Sequence, residues 1–432
     1  MPRSWREEKN GATRRRCECV EIYLMAASLR FPDGFLWGAA TAAHQIEGNN
    51  VHSDWWAAEQ AGRLPYRSGQ ACDSWNRWPQ DIALLTDIGL NAYRFSIEWA
   101  RIEPQRGHFD QQAIDTYRKQ IEAMRAADIE PMVTLHHFTG PLWLETEGGW
   151  RERSIVERLA EYTDRIGRDL GDLVTWWVTI NEPSILAMKS YLEGAWPPRR
   201  PRDLRGYVRT LRHAAFAHGA ARQVLRSHNR DARVSMAFAI WPMEPLRRWS
   251  PIDQTVARLG DWLWQGRVLR RTAHLLDWVG VNYYSRVRVG WPPERSDAAL
   301  DPHAGAGERT DFGWEIYPPG LYDVLRRAGR YGKPVVITEN GIADAGDDQR
   351  PGYIVAHLQQ VHRAIEEGVD VRGYMHWSLM DNYEWADGFT RRFGLAHVNF
   401  TTFERTLRPS ARLYGQIARG NSLAQELLAK SS

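Results

Sequence analysis

The 432-residue chain has room for one large barrel domain or for two or three average ones. Its 43% hydrophobic and 25% charged residues describe an ordinary globular protein with a substantial core, and a net charge of +3 spread along the chain gives no basis for a nucleic-acid or membrane partner. Three cysteines, Cys17, Cys19 and Cys72, form neither a disulfide framework nor a zinc spacing, so a reducing, cytoplasmic setting is expected.

Residues 1–28 are basic and irregular, and their one apolar patch, 20–27, is broken by Glu21. That is a poor secretory signal, and the segment reads as a disordered N-terminal extension with Met25 as an alternative start. From Phe31 onward apolar runs alternate with amphipathic stretches, with no long polar or Pro/Gly/Ser-rich linker between them. One domain over 29–421 is expected, followed by a C-terminal tail, 422–432.

Candidate strands fall at 35–41, 92–97, 131–136, 174–180, 233–239, 278–283, 334–338 and 372–378. Helical patterns cover 78–87, 111–127, 155–170, 204–227, 320–331 and 353–367, while 241–275 suggests a short or broken helix. Eight strands alternating with helices predict an α/β fold, a single (β/α)8 TIM barrel with elaborated βα loops.

Catalytic groups in such a barrel come from the carboxyl ends of several strands. Here those ends carry Gln45, Arg94, His137, Asn181 with Glu182, Asn282 with Tyr284, Glu339, and Trp377 with Glu384 and Trp385; only the fifth strand ends without a comparable group. Glu339 closes the apolar run Pro334-Val-Val-Ile-Thr, and Glu182 closes Trp176-Trp-Val-Thr-Ile-Asn. A carboxylate at the end of a buried strand is costly unless it is paired or used. Taken singly, each glutamate could be the buried partner of an arginine. Taken together, the two carboxylates fit glycoside hydrolysis, with Glu182 as acid/base and Glu339 as a nucleophile kept ionised by Arg94 and held by the Tyr284 hydroxyl. Glu182 would have a raised pKa beside a second carboxylate. Pro183 is expected to push Glu182 toward an extended backbone.

Asn181, His137 and Gln45 have the donors and acceptors that vicinal hydroxyls require, although a lone strand-end His is often structural. The His136-His137 pair lacks a third ligand at metal spacing, so no metal is expected. Among 21 tryptophans, most of them expected in the core, Trp377 and Trp385 could floor and wall a hexose pocket with Glu384.

These motifs carry a family resemblance. The opening Phe31-Pro-Asp-Gly-Phe-Leu-Trp-Gly-Ala-Ala-Thr-Ala-Ala-His-Gln45-Ile-Glu-Gly is followed by Tyr93-Arg94-Phe-Ser-Ile-Glu-Trp, Thr134-Leu-His-His137-Phe and Thr179-Ile-Asn181-Glu182-Pro. Gly280-Val-Asn282-Tyr-Tyr284, Ile337-Thr-Glu339-Asn-Gly and Trp377-Ser-Leu-Met-Asp-Asn-Tyr-Glu384-Trp385 complete the order. Across residues 29–421 the chain resembles the family 1 glycoside hydrolases, the β-glucosidase and β-glycosidase group. The resemblance implies retention of anomeric configuration, with Glu182 as acid/base and Glu339 as nucleophile and their carboxyl groups about 5 to 5.5 Å apart. It also implies that Gln45, His137, Asn181, Glu384 and Trp385 hold the sugar over Trp377, that Asn282 and Phe393 belong to the substrate-binding set, and that a cis peptide follows Trp377.

No cofactor is implied. The expected substrates are small-molecule β-glycosides and short oligosaccharides, cleaved from the non-reducing end to release glucose and also galactose or fucose. Monomer and homo-oligomer both remain open. A 6-phospho-β-glycosidase, suggested by Arg391 and Arg392 but opposed by Glu384, is an alternative, as are a transglycosylase and a non-catalytic sugar-binding barrel. Three departures from the family pattern stand out: a short stretch between strands five and six, Asn399 where Asp is common, and Phe138 with Gly140 in an unusual loop. Their effect is expected on aglycone selectivity and loop order.

Overall fold

In the computed structural model, which describes residues 28–264, 266–291 and 307–428, every predicted strand is present. The strands are β1 (Leu36–Ala40), β2 (Ala92–Ser96), β3 (Glu130–His136), β4 (Trp176–Asn181), β5 (Arg233–Ala239), β6 (Val279–Tyr283), β7 (Val335–Asn340) and β8 (Val371–Trp377). Parallel pairing runs from each strand to the next; β8 pairs with β1 and β7 with β6, so the sheet closes into a barrel. Closure leaves no edge strand and buries both faces, which is why the runs are apolar rather than alternating.

One principal helix follows each strand: α1 (Ser74–Ile88), α2 (Gln111–Ala126), α3 (Ile155–Leu170), α4 (Leu204–His228), α5 (Pro251–Trp264), α6 (Pro318–Gly329), α7 (Arg350–Glu366) and α8 (Pro409–Gly420). Helix α3 shows the logic. Ile155, Leu159, Tyr162, Ile166 and Leu170 recur at helical spacing and are all buried against the barrel. Each such aliphatic side chain contributes about 1.5–3 kcal/mol through burial. Asp110 starts α2 by accepting from the Ala113 amide, and Gly89, at φ 87°, ends α1 in the left-handed region.

The fifth helix is broken, as its irregular pattern predicted: α5 is followed by a second helical segment, Gly266–Thr272, and a turn at Ala273–Leu275. The segments Met243–Pro245 and Val287–Val289 pair in parallel beyond the ends of β5 and β6, extending the rim of the barrel there. Ser422–Leu423, assigned to the tail, instead pair antiparallel with Leu29–Arg30, because the end of α8 returns beside the first residues of the domain. The expected N-terminal extension lies outside the described residues except at Ser28.

Candidate active site

The carboxyl ends of β2, β4, β6 and β7 converge on one buried cluster of charge. Arg94 of β2 is fully buried and uses its guanidinium in four directions. Its Nη1 donates to Glu339 Oε1 at 2.6 Å and to the Thr338 carbonyl at 3.0 Å, Nη2 donates to Asn181 Oδ1 at 2.7 Å, and Nε donates to Thr134 Oγ1 at 3.2 Å. Tyr284 donates to the other Glu339 oxygen at 2.7 Å. An arginine held this way cannot swing aside, so Glu339 sits in a preset position.

Asn282 supports the glutamate of β4. Its Oδ1 accepts from Thr338 Oγ1 at 2.6 Å, which turns Nδ2 inward, where it donates to Glu182 Oε1 at 2.8 Å and to Asn181 Oδ1 at 3.2 Å. Asn282 thus positions Glu182 through Nδ2, and its Oδ1 accepts one bond, from Thr338, of the two an amide oxygen can take. Glu182 does not have the extended backbone expected before Pro183: its φ and ψ are 42° and 59°. A following proline disfavours only the right-handed helical region. Tertiary bonds choose the left-handed one, with the Glu182 amide donating to Ala237 O and the Glu182 carbonyl accepting from Leu186 in the short helix Pro183–Ala187.

The two carboxyls differ in electrostatics. Burial and the charge of Glu339 push Glu182 up to about 8, against the Asn282 hydrogen bond and Arg94. Burial raises Glu339 too, but the Arg94 ion pair and the Tyr284 hydrogen bond oppose it directly, so Glu339 is the one that ionises first.

Around this pair lie groups suited to hydroxyls. Asn181 Oδ1 accepts from Arg94 and Asn282, so its amide nitrogen donates to His137 Nε2 at 3.1 Å. The proton of His137 then sits on Nδ1, which has no hydrogen-bond partner among the described residues. Burial, then Arg94 and His136, hold His137 far below the usual imidazole range, so it is neutral. Gln45 Nε2 donates to Asn382 Oδ1, Tyr383 O and Glu384 Oε2, leaving Gln45 Oε1 without a partner among the described residues. Burial and nearby Asp387 push Glu384 up to about 8.

Aromatic rings complete the wall. Trp377 stacks on His137 at 5.8 Å and 23°, Trp385 stacks on the same imidazole at 6.0 Å and 16°, and the Trp377-Ser378 peptide is cis. His136 points the other way and accepts from Trp150 Nε1 at 3.1 Å, since successive strand residues face opposite sides; the pair does not converge on one point.

A charged arginine clamp, two unlike carboxyls and a stacking wall carrying free hydroxyl partners form a glycosidase site on a closed barrel. The sequence profile of glycosyl hydrolase family 1 matches residues 27–266 and 265–423. The chain belongs to that family. Beta-glucosidase A of Acetivibrio thermocellus is 33% identical, over 91% of this chain and 99% of its own length. A bifunctional beta-D-glucosidase/beta-D-fucosidase of Bifidobacterium breve is also 33% identical, with the same coverage of both chains. The structure of a beta-glycosidase from Pyrococcus horikoshii superposes with a TM-score of 0.86 at 39% identity, covering 94% of this chain and 98% of that one. The protein is thus a glycoside hydrolase of the β-glucosidase group.

In this glycosidase all the predicted site residues gather at one end of the barrel. Phe393 packs against Tyr284 at 6.1 Å and Trp314 at 6.2 Å. Sequence reasoning also passed over a set of supports. His44 stacks on Trp385 at 5.8 Å and 8° and is held by Glu59 at 3.2 Å and Asn50 at 3.0 Å. Trp55, Phe138 and Trp196 surround the outer side of Trp385 at 4.8, 5.2 and 5.7 Å. Adjacency to Gln45 was the one available signal for His44; nothing local marks Glu59. Of the departures noted, Phe138 adopts φ 70° and touches Trp385 directly, Gly140 exchanges hydrogen bonds with Asp54, and Asn399 Oδ1 accepts from the Thr401 and Thr402 amides in a turn an Asp could make equally well.

Proposed function

We propose that this family 1 enzyme is a retaining, exo-acting β-glycosidase that releases terminal β-D-glucosyl residues from short oligosaccharides and aryl glucosides in the cytoplasm. The observation that carries the reading is the unlike support of two buried carboxyls: Arg94 and Tyr284 hold the two oxygens of Glu339, while Glu182 has the Asn282 amide and is pushed up to about 8. Covalent attack needs carboxyls about 5 to 5.5 Å apart, against about 6.5 to 9.5 Å where an inverting water stands between them.

In the first step a Glu339 oxygen attacks the anomeric carbon, the bond from that carbon to the aglycone oxygen breaks, and Glu182 gives its proton to the departing oxygen. Tyr284 and Arg94 hold the attacking carboxylate in line. In the second step Glu182, now ionised, takes a proton from water; the hydroxide bonds the anomeric carbon and Glu339 leaves as a carboxylate. The His137 Nδ1–H, Gln45 Oε1 and Glu384 meet sugar hydroxyls, and Trp377 floors the ring. Fucosides and galactosides are proposed as further substrates, in keeping with the name of the Bifidobacterium relative. The 6-phospho alternative loses support because Arg392 donates to Asp381 and Val398 O and lies over Phe400.

Replacing Glu339 with Gly is expected to abolish hydrolysis. Glu182→Gln is expected to lower the rate on glycosides with poor leaving groups by about 10²–10⁴-fold. Proton NMR of the first-formed sugar should show the β-anomer; an α-anomer would overturn retention, and full activity of Glu339→Gly would overturn the nucleophile.

A further inference from the structure

The broken helix after β5 presents a face unlike the rest of the surface. Trp249 is 78% exposed, Trp291 57%, Ile252 57%, Leu259 54% and Trp262 49%. Helix α5 buries Asp253 and Ala257; at 100° per residue the opposite side carries Ile252, Thr255, Arg258, Leu259 and Trp262. The outermost side of this helix is therefore its apolar side, the reverse of an ordinary surface helix. Trp291 is anchored beside the start of this helix: its amide donates to Asp253 Oδ1 at 2.9 Å, and Arg247 Nη2 donates to its carbonyl at 2.6 Å. The Arg247 guanidinium lies 5.8 Å from the Trp249 ring, and that of Arg270 lies 5.2 Å from the Trp262 ring.

The charge is equally lopsided. Residues 246–272 hold six arginines and two aspartates, a net +4, although the whole chain is only +3. Arg248, Arg258, Arg270 and Arg271 are exposed. The average over the chain, which argued against a membrane partner, conceals this local excess.

We infer that this face docks the enzyme peripherally on an anionic lipid bilayer. Exposed Trp, Ile and Leu interleaved with arginine suit the boundary between headgroups and acyl chains, where indole rings settle and guanidinium groups meet phosphate. No helix among the described residues is long and apolar enough to cross a membrane, so attachment is at the surface. A second copy is the poorer occupant. A twofold contact through this face would set the patch against itself, +4 against +4, whereas a bilayer supplies both the apolar layer and the countercharge. The inner side of α5 reaches the barrel rim: Trp241 packs with Ala257 in one cluster and lies 5.9 Å from Trp314, which lies 5.5 Å from Tyr284.

The test is co-sedimentation of the full chain with vesicles of equal parts phosphatidylglycerol and phosphatidylcholine, against vesicles of phosphatidylcholine alone. Binding is expected to the anionic vesicles, with release at high salt. The paired change Arg258→Glu with Arg271→Glu should weaken it by about tenfold or more. Trp249→Ser with Trp262→Ser should weaken it comparably while leaving hydrolysis of a soluble aryl glucoside unchanged, which verifies folding. Absence of binding to anionic vesicles, or binding by both variants as tight as that of the unaltered protein, overturns the inference. So does a concentration-dependent dimer in light scattering that the Trp substitutions dissolve without any vesicle binding.

Discussion

Glu182 and Glu339 are the same side chain made unlike by their neighbours. Glu339 has a cation and a phenol on its oxygens, whereas Glu182 has one neutral amide. With Glu182 pushed up to about 8, it carries a proton at neutral pH and loses it above that value, so kcat/KM for unactivated glycosides should fall on a basic limb near pH 8. Part of that elevation comes from the charge of Glu339. In a Glu339→Gln variant the repulsion is gone, and the Glu182 titration followed by carbon NMR should move down; an unmoved titration would mean that burial alone sets it. Both glutamates and the clamp were legible as residues, because each sits where a buried run stops. Their division of labour was read from the strand ends and from Arg94 and Tyr284 as companions of Glu339, and the family resemblance implied the same roles.

At the scale of elements the strand predictions held closely, since a buried strand announces itself by a short apolar run with abrupt polar ends. The backbone at Glu182 went differently, because proline removes one conformational basin and leaves the choice between the others to contacts with β5 and the next helix turn. The seam between β7 and β8 has its own requirement. A Cβ on Gly341 would meet the Trp377 carbonyl oxygen at 1.7 Å, a backbone atom that cannot step aside. Gly341→Ala should therefore part the strand ends carrying Glu339 and Trp377, destabilise the fold by several kcal/mol, and lower kcat/KM by about 100-fold or more. Gly352→Ala, in the exposed first turns of α7 with open space around the added carbon, should instead be neutral or raise stability by up to about 1 kcal/mol. Urea denaturation of the two variants compares the cases directly.

Over the whole molecule, the site competes with stability. Glu182 and Glu384 are both pushed up to about 8, so the folded state binds more protons than the unfolded chain between the ordinary glutamate range and pH 8. Stability from these groups is complete at low pH and is lost as pH rises. Buried histidines act in the opposite sense at lower pH: His136 is pushed down to about 3 and His218 to about 4, so they titrate in the unfolded chain near pH 6.5. Above pH 7 these are neutral in both states and the carboxyls act alone. Unfolding free energy should accordingly fall by about 1–2 kcal/mol from pH 7 to pH 8. Glu384→Gln should flatten the slope and stabilise the protein at pH 8; an unchanged slope would place the proton uptake elsewhere.

Residues far apart in the chain meet at one end of this barrel, and the sequence by itself determined which ones: eight apolar runs of strand length, each followed by a helix, leave Gln45, Arg94, His137, Glu182, Tyr284, Glu339 and Trp377 no other common location. Tertiary structure alone decided the state of those residues. The order in which the glutamates ionise, the imidazole nitrogen that keeps its proton, the left-handed turn at Glu182 and the exposed apolar side of α5 all depend on desolvation and on partners as distant as the 245 residues between Arg94 and Glu339. Periodicity reports which face of an element is buried; the electric field and the hydrogen-bond partners at its end exist only once the barrel has closed.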